Sequence, residues 1–180
     1  MPRMTKEDYF LQIAKTVGLR STCLRARCGA IIVQKGTIIS TGYNGSVRGQ
    51  ENCCDRGTCP RQNSKPQHDK QLCSACHAEA NAITNVARNG SGSTLNSTLF
   101  VDFVRTDDHI NTYNKPCDEC MKLVINAGIK YIVNRNEDMD KITLDVSEIT
   151  DSVVTTERVW EKIKEVPVTE LTVVEKDVKS

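Results

Sequence analysis

Two short stretches concentrate the residues that can do chemistry. CSACHAEANAI, residues 73–83, holds Cys73, Cys76, His77 and Glu79 where a helix begins. PCDEC, residues 116–120, sets Cys117 and Cys120 one turn apart at the start of another. A helix N-terminus favours negative charge and lowers a thiol's pKa. One imidazole and two thiolates from two such termini make a ligand set suited to zinc. Three protein ligands leave a fourth position for water, the arrangement of a zinc that reacts rather than one that only staples. Glu79 stands two residues from His77, near the metal without being a ligand. A carboxylate there can carry a proton between water and a substrate nitrogen. The plainer alternative is a structural zinc clip with an incidental glutamate, but a clip needs no general acid.

These residues need a scaffold, and its elements are legible. Thr5 can cap a first helix running to about Val17, with Asp8 three positions on and Tyr9, Phe10, Ile13 and Val17 as its apolar face. AIIVQ (30–34) and TIISTG (37–42), joined by the turn KG, read as a hairpin. A long segment to about residue 75 follows, rich in Cys, Gly, Pro and charge and without apolar period. So long a loop in a compact domain is usually functional or held by a ligand. HAEANAITNVARNG reads as a helix ended by Asn89-Gly90, and TLFVDFV (98–104) as a strand. RTDDHINTYNK (105–115) is a polar loop. Pro116 opens a helix that Gly128 stops. KYIVN (130–134) is a strand, a helix is expected within 147–165, and residues 166–174, interrupted by Pro167, form a short edge strand. Strands alternating with helices after a hairpin indicate an α/β fold, a mixed sheet covered by helices.

Composition narrows the class. The 180 residues fit one domain, residues 1–180, and 38% hydrophobic with 26% charged residues reads as soluble and globular. No apolar run approaches the length of a membrane span, and MPRMTKEDYF has no apolar h-region, so neither a membrane anchor nor a signal peptide is expected. Nine cysteines, an odd number at short spacings, point to metal ligation in the reducing cytoplasm rather than to disulfides. Net charge is +1 but uneven: residues 20–70 carry nine Lys/Arg against three acids, which offers positive potential to an anionic ligand. With 4% aromatics and no strong basic excess, nucleic acid is not an expected partner.

HAE followed by PCxxC is the signature of zinc-dependent nucleobase deaminases. RSTCLRARCGAIIV (20–33), IISTGYNGS (38–46), HAEANAI (77–83), ARNG (87–90) and PCDECMKLVINAGIKYIV (116–133) together resemble the deoxycytidylate (dCMP) deaminase family, in its order, over residues 5–135. Residues 136–180 diverge. The resemblance implies a three-layer α/β/α cytidine-deaminase-like fold with about five strands, a homo-oligomer (hexamer favoured), and hydrolysis of dCMP to dUMP for dTMP supply. His77, Cys117 and Cys120 would hold the catalytic zinc, and Glu79 would protonate N3 and the departing amine as water attacks C4. It also implies activation by dCTP and inhibition by dTTP, with Mg²⁺ on the triphosphate. By position, Asn44 of GYNG is the candidate for holding the sugar, and Gly42 and Gly45 for close backbone approach. The alternative there is a plain hairpin-exit turn. Arg25 and Arg88 are candidates for phosphate, since guanidinium matches its geometry; a surface or subunit-interface role is the alternative for each. The segment 105–115, with His109 and Tyr113, departs from the family's short strand exit and puts base and phosphate contacts in doubt.

The family's microbial and viral members often carry a second, structural zinc. The STC and NCC stretches resemble its ligand positions, which implies Cys23 and Cys53. Cys59 and Cys73 complete the set, with His68 as the alternative, and such a site would order a loop that lacks an apolar core. Free thiols in a mobile loop are the alternative. Cys28 is expected in the core and Cys76 is expected to be unused. Two rival functions remain: the same chemistry on dCTP, cytidine or a base in nucleic acid, and a zinc-stapled nucleotide-binding module without turnover.

Overall fold

The structure, a computed structural model, describes residues 2–64, 68–104, 116–135, 140–146 and 165–166. Helix α1 (Lys6–Gly18) starts where expected: the Thr5 hydroxyl oxygen accepts the Asp8 N–H at 3.1 Å and satisfies a donor that a helix start leaves unpaired. It buries Phe10, Leu11, Ala14 and Gly18. Tyr9 does not join that face and is 51% exposed, because it lies roughly 200° around the helix from Leu11.

Strands β1 (Arg27–Gln34) and β2 (Thr37–Tyr43) form the hairpin. Its turn places Lys35 at φ 49° and Gly36 at φ 75°, the left-handed pair whose twist matches two flanking strands. The long segment that follows is more structured than its composition suggests. It contains β3 (Gly45–Ser46), α2 (Cys53–Arg56), a single 3-10 turn (Lys70–Leu72) and β4 (Ala75–Cys76). Gly45 pairs with Cys76 and Ser46 with Ala75, antiparallel, so a two-residue ladder closes the loop at its neck. Then come α3 (Ala78–Asn89), ended by Gly90 at φ 62°, β5 (Thr98–Val104), α4 (Asp118–Asn126) and β6 (Tyr131–Arg135).

A further strand, β7 (Lys141–Asp145), pairs antiparallel with β6 and was not expected. It is too short and too charged at its ends to stand out, yet Ile142, Leu144 and Val146 alternate in the way a strand requires. Of the expected last edge strand, β8 (Glu165–Val166) is described. Residues 147–164 of the span expected to hold a helix, and the loop 105–115, lie outside the described residues, while Glu165 is in β8. The main sheet runs β2-β1-β5-β6-β7-β8, with β5 and β6 parallel and the other neighbours antiparallel. It is therefore mixed, five full strands plus a two-residue sixth.

Helices cover both faces, which makes three layers. Helix α1 packs Phe10, Leu11 and Ala14 on Ile31, Val33, Phe100 and Val133. Helices α3 and α4 pack Ala82, Val86, Met121 and Val124 on Ala30, Ile32, Leu99, Val101 and Ile132. Five successive residues of β1 are buried for this reason. No helix among the described residues is long and apolar enough to cross a membrane.

Candidate active site

His77 is the N-cap of α3 and Cys117 the N-cap of α4, and neither side chain caps its own helix. They face each other instead. His77 Nδ1 lies 3.3 Å from Cys117 Sγ and 3.4 Å from Cys120 Sγ. Among the described residues this is the one set of three potential ligands whose donor atoms all lie within 4.8 Å of one another. A nitrogen and two sulfurs at that spacing fit zinc and leave its fourth position open. The Cys117 thiol is held down to about 3, first by its hydrogen bond with Cys120 and then by His77, against the opposing effect of burial. The same bond pushes the Cys120 thiol far up, with burial and the Glu79 charge adding to it. A divalent cation bound here would displace the protons these thiols carry.

Glu79 occupies the second position of α3 and is 1% exposed. The helix N-terminus favours a carboxylate there. It borders a cavity of about 100 Å³ together with His77, Ala78, Asn44, Ala26, Cys28 and Phe103. A buried carboxylate, the imidazole of the metal-ligand set and a polar amide therefore converge on one small space, with the two thiols beside it, an arrangement able to activate water and to move protons to a bound ring.

Asn44 reaches the cavity because its side chain replaces a stretch of backbone ladder. Its Oδ1 accepts the Cys28 N–H at 2.7 Å and its Nδ2 donates to the Ala26 carbonyl at 2.8 Å. Cys28 packs against the core as expected and also faces the cavity. It is half-buried in the cavity wall, opposite Phe103 in the β1–β5 register, and burial followed by the charges of Glu79 and Asp102 pushes its thiol up. Phe103 went unnoticed in the sequence, although strand period alone places it on the face that Val101 shares with the α3 layer.

The other expected nucleotide residues do not gather here. Gly42, Gly45 and Arg88 line a separate polar groove of about 390 Å³, with Arg48, Asn81 and Asn85. A Cβ on Gly42 would run into the backbone of Ala78 and Ala82, and one on Gly45 would meet Thr22 Oγ1 at 2.5 Å. These glycines thus permit close approach of protein to protein, to α3 at Gly42 and to Thr22 at Gly45. Arg25 is half-buried and donates to the Ser64 carbonyl at 2.9 Å, tying the start of β1 to the long loop. Along the groove, Asn81 and Asn85 donate to the Tyr43 and Thr41 carbonyls at 2.8 Å each, and Arg48 donates to Asn85 Oδ1 at 2.8 Å.

The remaining thiols divide. Cys53 and Cys59 are buried, and Cys23 and Cys73 half-buried. Burial pushes the Cys53 thiol up, with Cys59, Cys23 and Cys73 adding to it. The other three therefore lie within electrostatic reach of Cys53, though no three of the four bring their sulfurs within 4.8 Å. His68 and Cys54 are exposed. Cys76 borders the polar groove.

The family model for the cytidine and deoxycytidylate deaminase zinc-binding region matches residues 4–135. The chain belongs to that family. It is 35% identical to the deoxycytidylate deaminase of Schizosaccharomyces pombe over 133 residues, which cover 73% of this chain and 37% of the yeast protein. It is 32% identical over 144 residues to the deoxycytidylate deaminase of Mycobacterium phage D29, covering 76% of this chain and 99% of that protein. The crystal structure of the dCMP deaminase of cyanophage S-TIM5 in complex with dCMP and dUMP is similar to it, with a TM-score of 0.53 and 29% identity over 74% of this chain and 85% of that one. The chain thus spans little more than a third of its yeast relative and nearly all of the mycobacteriophage one. The expected zinc-binding, cytidine-deaminase-like α/β/α architecture is the one found.

Proposed function

We propose that this protein hydrolyses the amino group of dCMP, yielding dUMP and ammonia. The observation that carries the reading is the convergence of Glu79, His77 and Asn44 on one small cavity, beside thiols poised to bind a cation. Relatives named deoxycytidylate deaminase, and a similar structure holding dCMP and dUMP, support the substrate. His77, Cys117 and Cys120 would hold the zinc, which supplies a Lewis acid that makes water nucleophilic at neutral pH. Glu79 takes a proton from the attacking water, passes it to N3 of the ring, and later delivers a proton to the departing amine. One amide hydrogen of Asn44 goes to Ala26, which leaves the other for a sugar hydroxyl.

The clustering of Cys23, Cys53, Cys59 and Cys73 supports a second, structural zinc, with Cys73 preferred over the exposed His68. The groove bearing Arg48 and Arg88 supports a separate effector site, filled by dCTP as activator or dTTP as inhibitor with Mg²⁺ on the triphosphate. Gly42 and Gly45 shape that groove, and Arg25 serves the fold of the loop. The working form is a cytoplasmic homo-oligomer, a hexamer.

The test is ammonia release by the zinc-loaded protein from dCMP, dCTP, deoxycytidine, CMP and a cytosine-containing single strand in parallel. Release from dCMP alone is expected. Equal release from dCTP would move the reading to a triphosphate substrate, and none from any of them to a binding module. Glu79→Gln should keep its zinc and lose about 10³-fold in turnover; a variant near the wild-type rate would remove Glu79 from the mechanism.

A further inference from the structure

On the face of β5 opposite the cavity lies a buried acid that the reaction does not use. Asp102 is 3% exposed. The β5–β6 pairing runs from Thr98 to Phe100, and beyond it side chains bridge these two strands while the β1–β5 ladder continues to Val104. Asp102 Oδ1 accepts the backbone N–H of Phe103 at 2.8 Å, and Asp102 Oδ2 pairs with Arg135 Nε at 3.4 Å. Arg135, the last residue of β6, also reaches Asp8 of α1 at 3.2 Å, and Asp8 pairs in turn with Lys141 of β7 at 2.8 Å. This chain of charges ties α1, β5, β6 and β7 together at the level of the cavity, where the pairing between β5 and β6 has ended. Burying a carboxylate is costly unless its partners are fixed, and here one of those partners is the amide of the residue that walls the ring pocket. Phe103 stands opposite Cys28 in register, and the two form the sheet's side of the cavity.

We propose that Asp102, oriented by Arg135, is a positioning residue that sets Phe103 as the wall against which the pyrimidine ring rests. This rests on the deaminase reading, in which the cavity receives the ring. A wall that contacts the ring equally in ground and transition states acts on KM rather than on kcat.

The experiment measures dCMP kinetics and Phe103 amide hydrogen exchange on the zinc-loaded full chain. Phe103→Ala and Asp102→Ala should each raise KM about tenfold with kcat within about threefold. The double variant should be no worse than Phe103→Ala, because one acts through the other. Asp102→Asn keeps an oxygen for the Phe103 N–H and should raise KM only about threefold. The Phe103 amide should exchange at least about tenfold faster in Asp102→Ala and stay protected in Asp102→Asn. Should Asp102→Ala fail to fold, Arg135→Gln provides the second variant, with faster Phe103 exchange and a raised KM expected. A wild-type KM in Asp102→Ala, multiplying effects in the double variant, or a fall in kcat alone would overturn the proposal. Wild-type protein inert toward every cytosine nucleotide would sink only the deaminase reading. The exchange data would still decide the positioning, and equal Phe103 protection in all variants would end it.

Discussion

The two cysteine groups of this chain are built in opposite ways. Cys117 and Cys120 stand with His77 at the starts of two helices that are pinned to the sheet by buried Ala82, Val86, Met121 and Val124. Their donor atoms already lie within 4.8 Å of one another. Cys53, Cys59 and Cys73 come from the long segment that the two-residue ladder of β3 and β4 closes, Cys23 comes from the link between α1 and β1, and their sulfurs are more widely spaced. A site held by packed helices is set before its ligand arrives, whereas a site on a loop needs its ligand to set it. The first suits chemistry, where a fraction of an ångström matters. The second suits a staple, where binding energy becomes folding energy.

Removing one ligand from each group is the sharpest way to break the comparison. His77→Ala should abolish turnover, by about 10³-fold or more, while the far-UV spectrum and the melting temperature change little. Bound zinc, measured by atomic absorption, should fall by one per chain. A large drop in melting temperature would mean that the helix-borne site is also a staple. Cys53→Ala should do the reverse, keeping the catalytic metal and costing about 2–3 kcal/mol, or about 6–10 °C in melting temperature. Faster proteolysis within residues 50–75 should accompany it. Zinc content of one per chain in the wild type would remove the second site altogether. Gly42→Ala tests whether the scaffold of the first site tolerates bulk. Its Cβ would press on the backbone of Ala78 and Ala82, so about 2–3 kcal/mol should be lost on urea titration, with activity falling alongside as the start of α3 shifts.

The smallest effect concerns acid. Asp8 is lowered from 3.8 to about 2, chiefly by its hydrogen bond with Lys141 and then by Thr5. A depressed carboxylate stabilises the fold above its unfolded pKa and stops doing so as pH falls through the folded one. The contribution should therefore be intact above about pH 4 and vanish by about pH 2. Asp8→Asn should flatten the melting-temperature profile across that window and leave it parallel to wild type above it. An unchanged slope would mean that the pair contributes nothing to acid stability.

Much of the scaffold can be read from the chain because its signals are local. Thr5 with Asp8, Lys35-Gly36, Asn89-Gly90 and Gly128 mark ends or turns by chemistry confined to a few residues. The His77, Cys117 and Cys120 set is legible for the same reason, two short spacings at two helix starts. What stayed hidden depends on pairing over distance. Strand β7 gains its identity from β6, and the β3–β4 ladder joins residues about thirty positions apart. Gly42 looks like a ligand-facing glycine in GYNG, and only the approach of α3 shows that its space is taken. Asn44, with the two ends of its amide bound to the backbone of Ala26 and Cys28, and Phe103, opposite Cys28, acquire their places from tertiary pairing. Spacing within a motif reveals ligands, while the wall of a pocket comes from tertiary contacts.

The amides of Asn81 and Asn85 have a consequence outside the cavity. They occupy the outward carbonyls of β2, the strand at one flank of the main sheet, and Arg48 holds Asn85 in place. An uncovered flank is a template on which any extended chain can add itself. Here two of the acceptors that such a guest would need, the Thr41 and Tyr43 carbonyls, are already used. An extended chain adding itself to β2 would first have to displace both amides, so this end of the flank is closed to backbone pairing by side chains carried on a helix.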